Sequence, residues 1–374
     1  MKVDKLLGFA EDLGIDFFTG VPDSQLKALC DTLFDRFKSS DNHIVAANEG
    51  AAVALASGHY LATGKPALVY MQNSGIGNAV NPVCSLTNDK VYAIPMLFVV
   101  GWRGKPGVHD EPQHVFQGEI TVKLLELLEI KTFILTKETS DSDFETIGNE
   151  IKKVLASGKS AAIVVEKDAL QTDVKPDFNN SFSMTREEAL GVIIEKSEDS
   201  DIFVSTTGKM SRELFETRER LNQGHSKDFL TVGSMGHSVM IAAAISLNKK
   251  NRRVFCLDGD GALLMHGGSL AVNGTLACPN MVHIVINNRA HESVGGMPTA
   301  AAHIDLVAMA LSCGYKKSFR AENEEELSAI LNKINKTEGP VFVEVNTNIK
   351  SRKELGRPTT TPVQNRDAFM NFLK

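Results

Sequence analysis

Short unbroken runs of apolar residues alternate along this chain with longer segments whose apolar positions recur every three or four residues. In the first half the helical spacing covers 3–13, 24–37, 50–62, 79–86, 115–128 and 144–155. Strand-like runs fall between them at 15–18, 43–47, 67–71, 94–100, 132–135 and 161–165. Continuous apolar runs, rather than alternating ones, are what a strand needs when helices cover both faces of its sheet. Residues 168–184 turn polar and rich in turn formers and read as a linker. The alternation then resumes, with helices expected at 187–196, 212–221, 239–247, 306–312 and 324–334, and strands at 202–206, 229–232, 254–257, 281–286 and 341–345. The fold class is therefore α/β, two doubly wound parallel-sheet domains at 1–167 and 185–374 joined by 168–184. No internal sequence repeat is visible.

The most informative stretch is 252–290, which reads as one βαβ unit. Its first strand runs into Asp258-Gly259-Asp260-Gly261, its second into Asn287-Asn288, and a Gly-rich helix lies between. Parallel neighbours deliver Asp260 and Asn288 to the same sheet edge, about 4.8 Å apart. One carboxylate and one amide at that separation suit Mg²⁺. Gly259 and Gly261 allow a phosphate to approach the positive end of a helix expected to start near Ala262. An Asp-Gly turn followed by an unrelated Asn pair is the competing reading.

Composition narrows the classes. The 374 residues, 43% hydrophobic and 23% charged, suit two full cores, and a net charge of −6 argues against nucleic acid as the partner. Five scattered cysteines lack metal spacing and read as small core residues in a reducing compartment. No apolar run approaches the ~20 residues of a membrane span. A cytoplasmic protein with no membrane partner is the expectation.

Four further places carry candidate chemistry. Asn48-Glu49-Gly50 opens a small-residue helix directly after a strand, where a glutamate is also favoured by the helix dipole alone. Thr231 to Gly236 (TVGSMG) is a glycine-rich corner between strand and helix. The loop 101–114, at a strand's carboxyl end, carries Arg103, Lys105, His109 and His114 among glycines and prolines, as would a solvated charged loop or a hinged lid. Asp23 follows a strand and either caps the next helix or relays protons. No G-x-G-x-x-G with an acidic partner follows a strand, which argues against a dinucleotide dehydrogenase.

Gly259-Asp260-Gly261 followed about thirty residues on by Asn287-Asn288 resembles the signature of enzymes that bind thiamine diphosphate through Mg²⁺. FFTGVPDS (17–24), AANEGAAVALASGHYLATGK (46–65), YMQNSGIGNAVNP (70–82) and GWRGKPGVHDEPQH (101–114) extend the similarity. So do STTGKMSREL (205–214), HESVGGMPT (291–299) and SRKELGRPTTTP (351–362), and together they resemble the phosphonopyruvate decarboxylase family, with sulfopyruvate decarboxylases as close relatives. The resemblance implies thiamine diphosphate and Mg²⁺ as cofactors, with Asp260, Asn288 and the Ala290 carbonyl as metal ligands. It places Glu49 on the aminopyrimidine N1′, the Gly233 carbonyl on the 4′-amino group and Met235 as the wedge that bends the cofactor. Ser234, Gly259, Gly261 and Ala262 complete the cofactor set. Glu49, Asp23 and His114 would be catalytic, and Asp23, Arg103, Lys105, His109 and His114 would contact a small anionic 2-oxo acid under a closing loop. Arg289, Lys209, Arg212, Arg352 and Arg357 are the next candidate cations. The family further implies a homo-oligomer in which the Glu49 domain of one chain faces the Asp260 domain of another. Sulfopyruvate decarboxylation stays open, because sulfonate and phosphonate share tetrahedral anion geometry. A non-catalytic phosphate-binding paralogue would not need Glu49.

Overall fold

The computed structural model describes all residues except Ser39 and Lys336. The chain divides into two compact units, Met1–Asp177 and Phe178–Lys374, so the division falls inside the polar segment 168–184.

The first unit runs α1 Val3–Asp12, β1 Phe18–Gly20, α2 Lys27–Phe37, β2 His43–Val45, α3 Glu49–Thr63, β3 Ala67–Gln72, α4 Ile76–Pro82, β4 Met96–Gly101, α5 Pro112–Leu127, β5 Lys131–Leu135, α6 Asp141–Ala156 and β6 Ala161–Val165. Its six strands are all parallel, in the order β2-β1-β3-β4-β6-β5. On one face Val69, Met71, Phe98, Val100 and Val164 pack with Ala52, Val53, Ile76 and Leu125 of the helices above. The alternate residues Leu68, Tyr70, Leu97, Val99 and Ile163 are buried too, which is why these strands read as continuous apolar runs. Asn48 caps α3 by accepting from the Ala51 N–H at 2.8 Å, which fixes Glu49 as the first helical residue.

The second unit runs α7 Arg186–Glu195, β7 Ile202–Ser205, α8 Lys209–Arg220, β8 Asp228–Leu230, α9 Ser238–Asn248, β9 Val254–Gly259, α10 Asp260–Met265, α11 Gly268–Leu276, β10 Met281–Asn287, β11 Ala290–His291, β12 Met297–Pro298, α12 Leu306–Ser312, β13 Lys317–Ala321, α13 Glu324–Ile334, β14 Val341–Asn346 and α14 Pro362–Phe372. Six parallel strands take the order β13-β14-β10-β9-β7-β8, and β11 and β12 form a separate antiparallel pair. One face buries Phe203, Phe255, Leu257, Ile284 and Val343 under α7, α8 and α13, and the other buries Val204, Cys256, Val285 and Phe342 under α9 to α12 and α14. Both units are thus doubly wound parallel sheets. Among the described residues no helix is long and apolar enough to cross a membrane.

Several elements differ from the sequence expectation. The first strand pairs at 18–20 rather than 15–18, because Gly14 (φ 76°) ends the preceding turn and Ile15 and Phe17 enter the core before the ladder begins. The edge strand β13 went unread because KSFRA has two exposed and two half-buried positions and buries only Ala321, so it makes no apolar run. The α14 helix, which caps at Thr361 and buries only Asn365 and Phe369, also went unread. The single helix expected in the βαβ unit is two, broken at His266, and it begins at Asp260 rather than near Ala262.

Candidate active site

The carboxyl ends of five adjacent strands in the second unit gather the residues singled out there. The β9–β10 register aligns Ile286 with Gly259, so Asp260 and Asn287-Asn288 emerge side by side. Asp260 is 4% exposed and accepts from the Thr299 hydroxyl. No Lys, Arg or His among the described residues forms an ion pair with it, and burial pushes its carboxyl up to about 7. Asn288 is 6% exposed; its Oδ1 accepts from the Ala290 N–H at 3.0 Å and its Nδ2 donates to Glu292 at 3.3 Å. Asn287 is tied off behind it, donating to Glu344 at 2.7 Å and accepting from the Arg289 N–H, where the backbone turns left-handed (φ 60°). The β11–β12 pair carries the chain back so that Thr299 reaches Asp260, with its N–H on the Arg289 carbonyl at 3.0 Å.

The corner after β8 is tightly wound, with Gly233, Ser234 and Gly236 all at positive φ. The Gly233 N–H donates to Thr207 Oγ1 at 2.9 Å. A Cβ on Gly236 would come within 2.9 Å of the Ala262 carbonyl and 2.6 Å of the His266 ring, so only glycine lets this corner sit on α10. Met235 and His291 both flank Gly261, each with an atom 3.6 Å from where a Cβ on that glycine would lie. The hydroxyls of Thr206, Thr231 and Thr347, just past β7, β8 and β14, are buried without a partner, as is Arg289 Nε.

These residues fit a divalent cation and a polyanion beside it. Two buried oxygen donors stand at one sheet edge, and one is a carboxyl that burial pushes up and whose ionised form a cation would favour. The unpaired hydroxyls and the first N–H groups of α10 supply donors for anionic oxygens.

In the first unit the ends of β2, β1, β3 and β4 are neighbours. Glu49 is 4% exposed, and its Oε2 accepts from Asn78 Nδ2 at 2.8 Å; burial pushes the carboxyl above its ordinary range, and that hydrogen bond offsets only part. Gly75 lies close beside it: a Cβ there would overlap the Glu49 carboxyl group and force it to shift. Asp23, 1% exposed, accepts from the Gln25 N–H at 2.9 Å and from Gln72 Nε2. Burial raises its carboxyl too, against the pull of those bonds and of Arg103. His114 is 9% exposed with no partner at Nδ1, and burial pushes it down to about 4.

The charged loop is less open than its sequence implies. Arg103 makes a two-pronged ion pair with Asp110, with Nε to Oδ2 at 2.8 Å, and its third nitrogen donates to Ser24 at 3.1 Å. Burial opposes ionisation of Asp110, but the bonds from Arg103 and from the Glu111 and Gly104 N–H groups hold its carboxyl well below the usual range. Lys105 pairs with Glu166 and lies over the Trp102 ring, and His109 is exposed. Of the reserve cations, Lys209 pairs with Glu292, Arg352 with Glu187 and Glu216, and Arg212 donates to the carbonyls of Leu355 and Gly356. Arg289 stacks over Phe182 at 4.7 Å. Thr299, Glu292, Gln72, Asn78, Gly75 and Asp110 are the neighbours that sequence reasoning missed. All six lie inside segments quoted for the resemblance, which was the only available signal.

Comparison with known proteins agrees with this geometry. Residues 3–126 match the model of the thiamine pyrophosphate enzyme N-terminal TPP binding domain, and 206–345 that of the C-terminal TPP binding domain. The chain is 32% identical to a phosphonopyruvate decarboxylase of Streptomyces viridochromogenes, over 96% of this chain and 92% of the relative. It is 30% identical to one from Streptomyces hygroscopicus, over 99% and 93%. A sulfopyruvate decarboxylase of Methanosarcina acetivorans is 26% identical over 86% and 85%. Two matched cofactor domains and near full-length identities of 32% and 30% mean that the chain belongs to the phosphonopyruvate decarboxylase family of thiamine pyrophosphate-dependent enzymes.

Proposed function

We propose that this chain decarboxylates 3-phosphonopyruvate to phosphonoacetaldehyde and CO₂, using thiamine diphosphate and Mg²⁺, as a step in phosphonate biosynthesis. The observation that carries the substrate is the near full-length similarity to two phosphonopyruvate decarboxylases, against lower identity and coverage for the sulfopyruvate decarboxylase. When bound, thiamine diphosphate supplies an electron sink for the carbanion left as CO₂ departs.

The chain's own residues divide the remaining work. Asp260, Asn288 and the Ala290 carbonyl would hold Mg²⁺, while Gly259, Gly261 and Ala262 offer close approach and N–H groups to the diphosphate. Gly233, Ser234 and Met235 would seat the cofactor. Glu49 would exchange a proton with the aminopyrimidine N1′, a task suited to a carboxyl raised by burial. Asp23, raised, and His114, kept neutral, would move the proton that replaces CO₂ on the product carbon. Arg103, Lys105 and His109 are the proposed anion contacts. Arg103 and Lys105 would then exchange Asp110 and Glu166 for phosphonate oxygens, so anion binding and rearrangement of the loop become one event. Following the family, we infer a homo-oligomer in which Glu49 of one subunit serves Asp260 of another.

Steady-state rates on phosphonopyruvate, sulfopyruvate and pyruvate test the substrate. The expected order of kcat/KM puts phosphonopyruvate first by at least about tenfold, a margin of about 1.4 kcal/mol. A preference for sulfopyruvate would overturn the assignment in favour of the second reading, which the Methanosarcina acetivorans relative supports.

A further inference from the structure

The Glu292 carboxylate joins the two halves of an ion network that the proposed chemistry does not use. Its side chain is 8% exposed and accepts from Arg186 at 2.7 Å, from Lys209 at 2.7 Å and from Asn288 Nδ2 at 3.3 Å. Each cation is anchored in turn. Arg186, at the start of α7, makes a two-pronged pair with Glu213 at 2.6 and 2.7 Å, and Lys209, at the start of α8, also donates to Ser351 at 2.7 Å. Glu292 is therefore held from two helices and has little freedom to follow its neighbours.

An amide has two unlike ends, and only its oxygen can face a cation. Both ends of Asn288 are specified from outside. The carboxylate of Glu292 can only accept, so it takes the NH₂ end; the Ala290 N–H can only donate, so it takes the oxygen and leaves one lone pair. Without Glu292 only the Ala290 N–H would hold the amide, and a rotation that gave up this one bond would turn the NH₂ toward the ion, where it repels.

We propose that Glu292 is a positioning residue that fixes the Asn288 amide with its oxygen toward the divalent cation, an inference resting on the reading of Asp260 and Asn288 as metal ligands. The arrangement also accounts for an asparagine at 288. An aspartate there would set two carboxylates against each other 3.3 Å apart.

The test is a double-mutant cycle read by calorimetric Mg²⁺ titration in saturating thiamine diphosphate. Glu292→Ala should weaken Mg²⁺ binding by about 10- to 100-fold, the usual effect of losing a partner that orients a ligand. In the Asn288→Asp background, where no amide needs orienting, Glu292→Ala should cause no further weakening. Equal weakening in both backgrounds would overturn the proposal, because it would mean that Glu292 acts only through its charge or the fold. Unchanged affinity in Glu292→Ala alone would overturn it as well. If the alanine variant does not fold, as judged by its thermal transition without metal, Glu292→Leu fills the space and accepts no hydrogen bond. Failure of the underlying reading looks different: Asp260→Ala would then bind Mg²⁺ as tightly as the unmodified protein.

Discussion

At the scale of single residues, Glu49 and Asp260 are carboxyls raised by burial, and nothing among the described residues places a cation beside either. For Glu49 the single amide partner, Asn78, leaves one carboxyl oxygen available. Glu49→Gln preserves shape and the contact with Gly75 but cannot hold or release a proton. It should fold, keep most of its cofactor affinity and lose at least about 10²-fold in turnover, the usual worth of positioned acid–base catalysis. Exchange of the cofactor's C2 proton, followed by NMR, checks this, and an unchanged exchange rate would reduce Glu49 to a helix-start residue. Away from the site, burial pushes His43 down to about 4, with its ring between the Lys38 carbonyl and the Tyr70 hydroxyl. Its folded pKa lies below its unfolded value of 6.5, so the unfolded chain binds the proton first. The stability from neutral His43 is complete above pH 6.5 and is lost as pH falls toward 4, by about 3 kcal/mol at about 1.4 kcal/mol per unit. An NMR titration of the His43 ring should give an apparent pKa near 4, and a value near 6.5 would mean that His43 contributes no such pH dependence.

At the scale of elements, the sequence makes legible what local pattern encodes. Strands such as β3, β4, β9 and β10, buried on both faces, stand out because nearly every residue in them is apolar, with Asp258 and His283 the buried exceptions within β9 and β10 and Gln72 and Asn287 at strand ends. The edge strand β13 does not, because half of it faces solvent. Asp260 and Asn288 were legible because each directly follows a strand in a parallel pair. Thr299, Asn78 and Gln72 were not, because each reaches its partner from 29 to 49 residues away and from another element. The loop 101–114 shows the same limit: its charges were legible, but their pairing was not. Arg103 is held by Asp110 within its own loop and by Ser24 from the β1 end. A phosphonate must displace Asp110 to take the guanidinium fork, which favours two-pronged anions over a point charge. Arg103→Ala should therefore raise KM for phosphonopyruvate at least about tenfold and leave pyruvate, which has no anionic tail, nearly unchanged. Its melting temperature should also fall, because Asp110, 12% exposed, loses its partner. An equal kinetic loss on both substrates would assign Arg103 to the loop alone.

At the scale of the whole molecule, the proposed catalytic set is split between two compact units, Glu49 in the first and Asp260 in the second. Sulfopyruvate decarboxylase relatives in Methanococcus maripaludis are separate subunits, one matching 51% of this chain and the other 36%. If Glu49 of one subunit serves Asp260 of its neighbour, two defective chains can repair each other. Glu49→Gln protein keeps a sound metal site and Asp260→Ala protein keeps a sound glutamate, so a mixed pair assembles one site with both. Random exchange in a 1:1 mixture of dimers makes about half of the assemblies mixed, and one site in two is whole within each. The expected recovery is about a quarter of wild-type activity, from two proteins that are each nearly inactive. Mass spectrometry of isotope-labelled chains would establish that subunits have exchanged before the assay is read. Full exchange with no recovery would mean that each chain builds its site from its own two units.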